Sequence, residues 1–511
     1  MFCLLSPLVT GDLQFVDQSE LLNVPMSHFL GSVRSTMDTV RQVISMMSNF
    51  TGKFDDFRLS SALSDCLDLM DLSADELSWI LSASQNSDGK ENNSPENVRG
   101  DMRAWLSGVL INKDTCLEGF DGTNTTIESF VGNSLNRITT LTHDILSMIP
   151  TTWDTMSEGG TVGGGGGGGG VSGGRKVRTN DKFPHWLKSN DRKLFQAAND
   201  TVVDVVVTAD GTGNFTSIMD AISAAPEYSK RRYVIYVKCG VYKEYVEISK
   251  KKLNIMMIGD GMDVTIISGN RSYADGWTPY RSATFAVTGK GFIARDMTFE
   301  NTAGPFKYQA VAFRSDSEFS VVYRCAIRGY QDTLYSHSLR QFYKECHITG
   351  TVDFIFGRGT AVFQNCQILV REGLPKQKNT ITAHGREKTD SSGFSIQFCY
   401  ISVESNVTNP TYLGRPWKKH SRTIIMESYI SDAIRPEGWL EWNGSWYLDT
   451  LYYAEYMNYG PGAGLGGRVK WPGYHIINDS AQVKNFTVAK FISGNKWLPS
   501  TGVKYTAGLT I

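Results

Sequence analysis

The chain has 511 residues, 41% hydrophobic and 20% charged, the composition of a soluble globular protein long enough for more than one core. No run of about 18 apolar residues occurs, so no membrane span is expected, and eight cysteines are too few for a disulfide scaffold. The net charge of −1 hides a split: residues 1–174 hold 22 acidic against 9 basic side chains, leaving 30 against 42 for the rest, which implies either attraction between the halves or a polyanion partner for the second.

Met1–Gly11 has a short apolar run without a basic flank and is a poor signal peptide. From Leu21 to Met47 apolar residues recur three or four apart, which predicts an amphipathic helix. Similar faces at Leu59–Met70, Leu77–Leu81, Met102–Leu110 and Ile127–Ile149 predict an all-α up-and-down bundle of four or five helices over residues 1–155. Cys66 and Cys116 are placed to bridge two of them. Residues 156–195 read as a Gly-rich linker ending in the basic pair Arg192-Lys193, a plausible cleavage site. The linker's Gly170-Val171-Ser172-Gly173-Gly174 matches a nucleophile elbow in letters only, because neither a strand nor a helix flanks it.

From Val202 the texture changes to short β-branched runs, and residues 196–511 are expected to form an all-β domain. One pattern recurs there: Cys325, Cys346 and Cys366 are each followed two residues on by Ile327, Ile348 and Ile368. Met297 with Phe299, Cys399 with Ile401 and Ser428 with Ile430 fill the same slots. A single residue column persisting at spacings of 20 to 33 residues predicts a right-handed parallel β-helix, one coil per repeat, rather than a sandwich or jelly roll. The Cys column reads as buried packing whose adjacent members can also pair, with Cys346–Cys366 favoured over Cys325–Cys346.

Asp332 and Asp353 each lie seven residues after a column Cys, so coil stacking sets their backbones roughly 5 Å apart. Two carboxylates that close titrate as a pair, which suits a nucleophile beside a proton donor; the bland alternative is an Asp ladder satisfied by turn amides. Gln331 adds an amide donor next to the first acid, and Phe354-Ile355-Phe356 makes an apolar surround for the second. Arg415 is the candidate counter-ion.

Gln309-Ala310-Val311-Ala312, Gln331-Asp332-Thr333-Leu334, Asp353-Phe354-Ile355-Phe356-Gly357 and Leu413-Gly414-Arg415-Pro416-Trp417, with Gly240-Val241-Tyr242-Lys243-Glu244, resemble the signature set of plant pectin methylesterases. The front half resembles the inhibitor-like pro-region that precedes many of these enzymes, although only Cys66 and Cys116 fit one of its usual two Cys pairs. Arg192-Lys193-Leu194-Phe195 resembles the family's dibasic processing site, with Phe195 where Leu is usual. The resemblance implies that Asp353, held ionised by Arg415, attacks a galacturonosyl methyl ester while Asp332 acts as acid and then base. It implies amide donors from Gln309 and Gln331 for the oxyanion, and substrate contacts from Thr284, Gln309, Arg415 and Trp417. No metal or other cofactor is implied. The implied partners are pectin (methylated homogalacturonan), an inhibitor protein and a processing protease, with neither nucleic acid nor membrane, for a secreted cell-wall monomer. Asn-x-Ser/Thr sequons such as Asn49, Asn270 and Asn406 suit that setting.

Two other functions fit parts of this pattern. A pectin-cleaving hydrolase or lyase on the same solenoid needs groups flanking a glycosidic oxygen, or a calcium-binding acid cluster, instead of an amide-lined oxyanion site. A non-enzymatic inhibitor has no use for the Asp332, Asp353 and Arg415 set.

Overall fold

In the computed structural model residues 21–85, 95–123, 127–150 and 202–510 are described. The N-terminal stretch, the 156–195 linker with its Gly170–Gly174 match, and Arg192-Lys193 lie outside the described residues.

The front half forms helices α1 (Met26–Ser48), α2 (Phe57–Gln85), α3 (Pro95–Gly119) and α4 (Ile127–Ser147). Pro25 delays α1 past the expected Leu21, since its fixed φ suits a helix start but not an interior. Phe29, Val33, Met37, Val40 and Met47 make its buried stripe. The two apolar stretches at 59–70 and 77–81 belong to one helix, α2, because the intervening Asp71-Leu72-Ser73-Ala74-Asp75-Glu76 contains no breaker. Cys66 on α2 and Cys116 on α3 form a disulfide, as the sequence suggests.

The second half is a parallel β-helix. Short strands alternate among three all-parallel sheets of 11, 8 and 7 strands, and successive coils stack in register. In the 8-stranded sheet Phe299, Ile327, Ile348, Ile368, Ile401 and Ile430 stand on one another as the repeat predicts, and Tyr242 and Ile267 extend the column. The residue before each Cys-type position carries a left-handed φ: Asp296, Arg324, Glu345, Asn365, Phe398 and Glu427 all lie between 50° and 58°. That one-residue bend turns the chain from the 11-stranded sheet into the 8-stranded one and fixes the column's register.

The expected Cys346–Cys366 bridge is absent, and Cys325, Cys346, Cys366 and Cys399 are buried free thiols. The ladder sets these side chains parallel at about 4.8 Å, whereas a disulfide needs Cβ atoms converging to about 3.8 Å. The Cys346 thiol donates instead to the Val322 carbonyl at 3.2 Å.

Glu244, in the Gly240–Glu244 motif, serves structure. Its carboxylate accepts from the Ile218 and Met219 amides at 3.0 and 3.1 Å, capping the short helix α5 (Ile218–Ala224) beside Ser217. Across the third, 7-stranded sheet, inward Phe285, Phe313, Leu334 and Ile355 alternate with an outward column of Ala286, Arg314, Tyr335, Phe356 and Ala383. The helical bundle lies on that outward column: Ala286, Tyr335, Phe356, Ala383, Val311 and Leu339 share one apolar core with α1–α4.

Candidate active site

The entry to the third sheet repeats one conformation in consecutive coils. Asp332 precedes strand Leu334–Ser336 and Asp353 precedes strand Ile355–Gly357, with φ of 61° and 50°. Aspartate tolerates this left-handed region better than most residues. Leu334 pairs with Ile355, and the Asp332 amide donates to the Val352 carbonyl at 3.1 Å, so the two acids are neighbours across one coil step.

Their surroundings differ. Arg415 grips Asp353 with two donors, Nε to Oδ1 at 2.8 Å and Nη2 to Oδ2 at 2.6 Å. The Thr380 hydroxyl donates to Asp353 Oδ1 at 2.7 Å and accepts from the Asp353 amide at 2.9 Å. Both carboxylate oxygens of Asp353 are therefore engaged, Oδ1 by Arg415 and Thr380 and Oδ2 by Arg415. Asp332 has no such partner among the described residues. Burial first, and then the neighbouring Asp353 charge, push its carboxyl well above the ordinary range, with Arg415 opposing. At the same coil position the two carboxyls therefore meet different environments, one paired with a guanidinium and the other buried beside a like charge.

Gln331 is adjacent to Asp332, and Gln309 lies one coil away, where the Ala310 amide donates to the Gln331 carbonyl at 3.2 Å. The side-chain oxygen of Gln309 is buried with no hydrogen-bond partner among the described residues. Trp417 meets Phe356 edge-on, with ring centroids 6.1 Å apart. Gly385 makes room for it, since a Cβ there would stand 2.7 Å from the indole. Thr284 is two coils before Asp332 and fully buried, set against Gly269, so it is not brought to the pair in this state.

Two contributors were missed. Thr380 sits in Asn379-Thr380-Ile381-Thr382, which reads as an ordinary strand. Trp442 places its ring 4.3 Å from the Arg415 guanidinium, yet in sequence it lies beyond strands Arg422–Met426 and Tyr429–Ile430 with no motif of its own. Only the Asp353–Arg415 pairing pointed toward either.

The pectinesterase family model matches residues 204–495, and the plant invertase/pectin methylesterase inhibitor model matches residues 9–148. The chain is 58% identical to a pectinesterase/pectinesterase inhibitor of Prunus persica, over 98% of this chain and 92% of that protein. It is 55% identical to the probable pectinesterase/pectinesterase inhibitor 44 of Arabidopsis thaliana, over 97% and 96%. Among solved structures, the carrot pectin methylesterase aligns with a TM-score of 0.60 at 49% identity, covering 60% of this chain and 98% of that one. The Aspergillus niger pectin methylesterase aligns at 0.51 with 30% identity, covering 58% and 95%.

Proposed function

The chain belongs to the pectinesterase family, and on that premise we propose that Asp353 is the nucleophile and Asp332 the acid and base of its reaction. The enzyme is a carboxylic ester hydrolase that removes methyl groups from pectin. In the first step an Asp353 oxygen attacks the ester carbonyl carbon and forms an anhydride as the C–O bond to the methoxy group breaks. Asp332 gives its proton to the departing oxygen, which leaves as methanol. Asp332, now ionised, takes a proton from water, whose oxygen attacks the same carbon. Asp353 then leaves as a carboxylate, and the galacturonate is freed. Gln309 and Gln331 are assigned to the oxyanion, and Trp417 and Thr284 to the sugar chain.

The observation that carries this assignment is the unequal treatment of two acids at one coil position: Arg415 and Thr380 on Asp353, burial without a counter-ion on Asp332. A glycosidase would also use paired acids, but it acts on a glycosidic oxygen and has no use for the amide donors assigned here to an oxyanion. In an assay of methanol release from methylated homogalacturonan, Asp353→Ala should abolish activity while polymer length stays unchanged with the unaltered enzyme. An undiminished rate in the variant, or shortening of the polymer, would overturn the assignment.

The bundle is proposed to hold the enzyme closed, because it lies over the outward column that carries Tyr335 and Phe356 beside the two acids. Cleavage at Arg192-Lys193 would then release it, and methanol release should be faster from the cut chain than from the intact one. Action as a secreted cell-wall enzyme is supported by the disulfide and by the exposed sequon residues Asn49, Asn270 and Asn406.

A further inference from the structure

Every ion pair between the two halves, among the described residues, has its cation on the coil and its anion on the bundle. Arg281 holds Asp65 at 2.6 Å and also Asp68, and Lys250 holds Asp71 and Asp75 at 2.8 and 2.9 Å. Arg340 reaches Asp101 at 2.7 Å, Arg358 reaches Asp114, and Lys418 reaches Glu118 at 2.5 Å. Arg340 and Arg358 also keep coil anions, Glu318 and Asp390. Arg281, Lys250 and Lys418 make their ion pairs with the bundle.

These cations form a row along the β-helix axis. Lys250 follows the first strand of the 7-stranded sheet and Lys418 follows the last, a span of roughly 29 Å at about 4.8 Å per coil, with the Asp332/Asp353 pair between them. Facing them, Asp65, Asp68, Asp71 and Asp75 recur three, three and four residues apart along α2. That spacing puts carboxylates on one helical face over about 15 Å. A line of carboxylates at short, regular intervals is also what unesterified galacturonate units present, and each turnover adds one such carboxylate to pectin.

We propose that de-esterified stretches of pectin compete with the α2 and α3 acids for this cation row and displace the bundle, so that the product of the reaction opens the enzyme that makes it. The inference rests on the reading that the covered face is the pectin groove. The cations flanking the groove would therefore have two alternative anionic occupants, one built into the chain and one delivered by the substrate polymer.

The test uses the full-length chain and unesterified galacturonate oligomers, with fully methyl-esterified oligomers and NaCl of matched ionic strength as controls. Two quantities are read: radius of gyration by solution scattering, and methanol release from highly methylated pectin. Unesterified oligomers should expand the particle and raise the rate by about tenfold, the factor set by displacing about 1.4 kcal/mol of closure. Neither control should do so. In an Asp68→Asn/Asp71→Asn chain, which weakens only the bundle's hold, the expansion should need less oligomer. No expansion at saturating unesterified oligomer overturns the proposal, and so does equal expansion by salt. Expansion with an unchanged rate supports displacement but overturns the reading that the bundle closes the groove.

Discussion

The bundle and the coil both bury carboxylates, and they satisfy them by different means. Asp353 takes its partners, Arg415 and Thr380, from neighbouring coils of its own half, so its state does not depend on the bundle. Asp65 on α2 takes Arg281 and Thr278 from the opposite half. Glu76, also on α2, accepts a hydrogen bond from Asn112 at 3.2 Å and otherwise faces Asp316 and Glu318 of the coil. The charges proposed for catalysis are paired inside one solenoid; the covering charges are complete only when two halves meet. Chemistry built on the first kind of site persists after the cover is lifted, and a cover built on the second kind responds to conditions.

The sharpest way to break this contrast is to remove the acid of the catalytic pair. Asp332→Asn should lower kcat/KM by about 10²- to 10⁴-fold, the usual reach of a positioned acid and base. Its pH profile gives a second readout. In the proposed mechanism Asp332 is protonated when methanol leaves, and its carboxyl is raised by burial and by Asp353, so activity of the unaltered enzyme should fall at the alkaline side as the pair loses its proton. The Asn variant should lose that alkaline limb. A profile unchanged in shape would assign the limb to another group.

Next in size is the cover. Arg281→Glu sets a negative charge against Asp65 and Asp68, and truncating one partner of a buried, hydrogen-bonded ion pair costs about 2–5 kcal/mol. Methanol release by the full-length chain should therefore rise by about tenfold or more. The same substitution in a chain cut at Arg192-Lys193 and freed of its bundle should change the rate little. An equal rise in both forms would remove Arg281 from closure.

The sequence carried the coil far better than the contact between the halves. The Cys-x-Ile column survives in the letters because each coil needs an apolar pair pointing into the same core, and Asp332 and Asp353 could be aligned by counting from it. The bend that sets the column was invisible, because left-handed φ falls on Asp, Arg, Glu, Asn and Phe alike and ladder pairing on both sides enforces it. The same column misled over Cys346 and Cys366, since identical register gives parallel thiols rather than converging ones. Thr380 was not legible because a strand threonine looks the same whether or not it orients a carboxylate. The charge split between the halves signalled attraction, yet only the folded chain shows that the acids of α2 and α3 meet cations on the face beside Asp332 and Asp353.

The smallest effect tests that contact through pH. Burial first, then Asp316 and Glu318, push the Glu76 carboxyl well above the ordinary glutamate range in the docked state, with Asn112 opposing. The undocked state, with Glu76 freed from Asp316 and Glu318, titrates closer to the ordinary value of about 4.3. Between that value and the raised one the docked form binds more protons, so closure weakens as pH rises, by at most about 1.4 kcal/mol per pH unit for this single group. Below the ordinary value both states are protonated and the group's contribution to closure is fully present. Glu76→Gln keeps a neutral side chain of similar shape and should flatten the pH dependence of closure, read as the radius of gyration of the full-length chain between pH 4 and pH 7. The facing groups Asp75, Asp316 and Glu318 stay in place in that variant, so any slope that remains belongs to them and to the acids held by Arg281, Lys250 and Arg340. A slope as steep in Glu76→Gln as in the unaltered chain would mean that those pairs, and not Glu76, make the cover sensitive to pH.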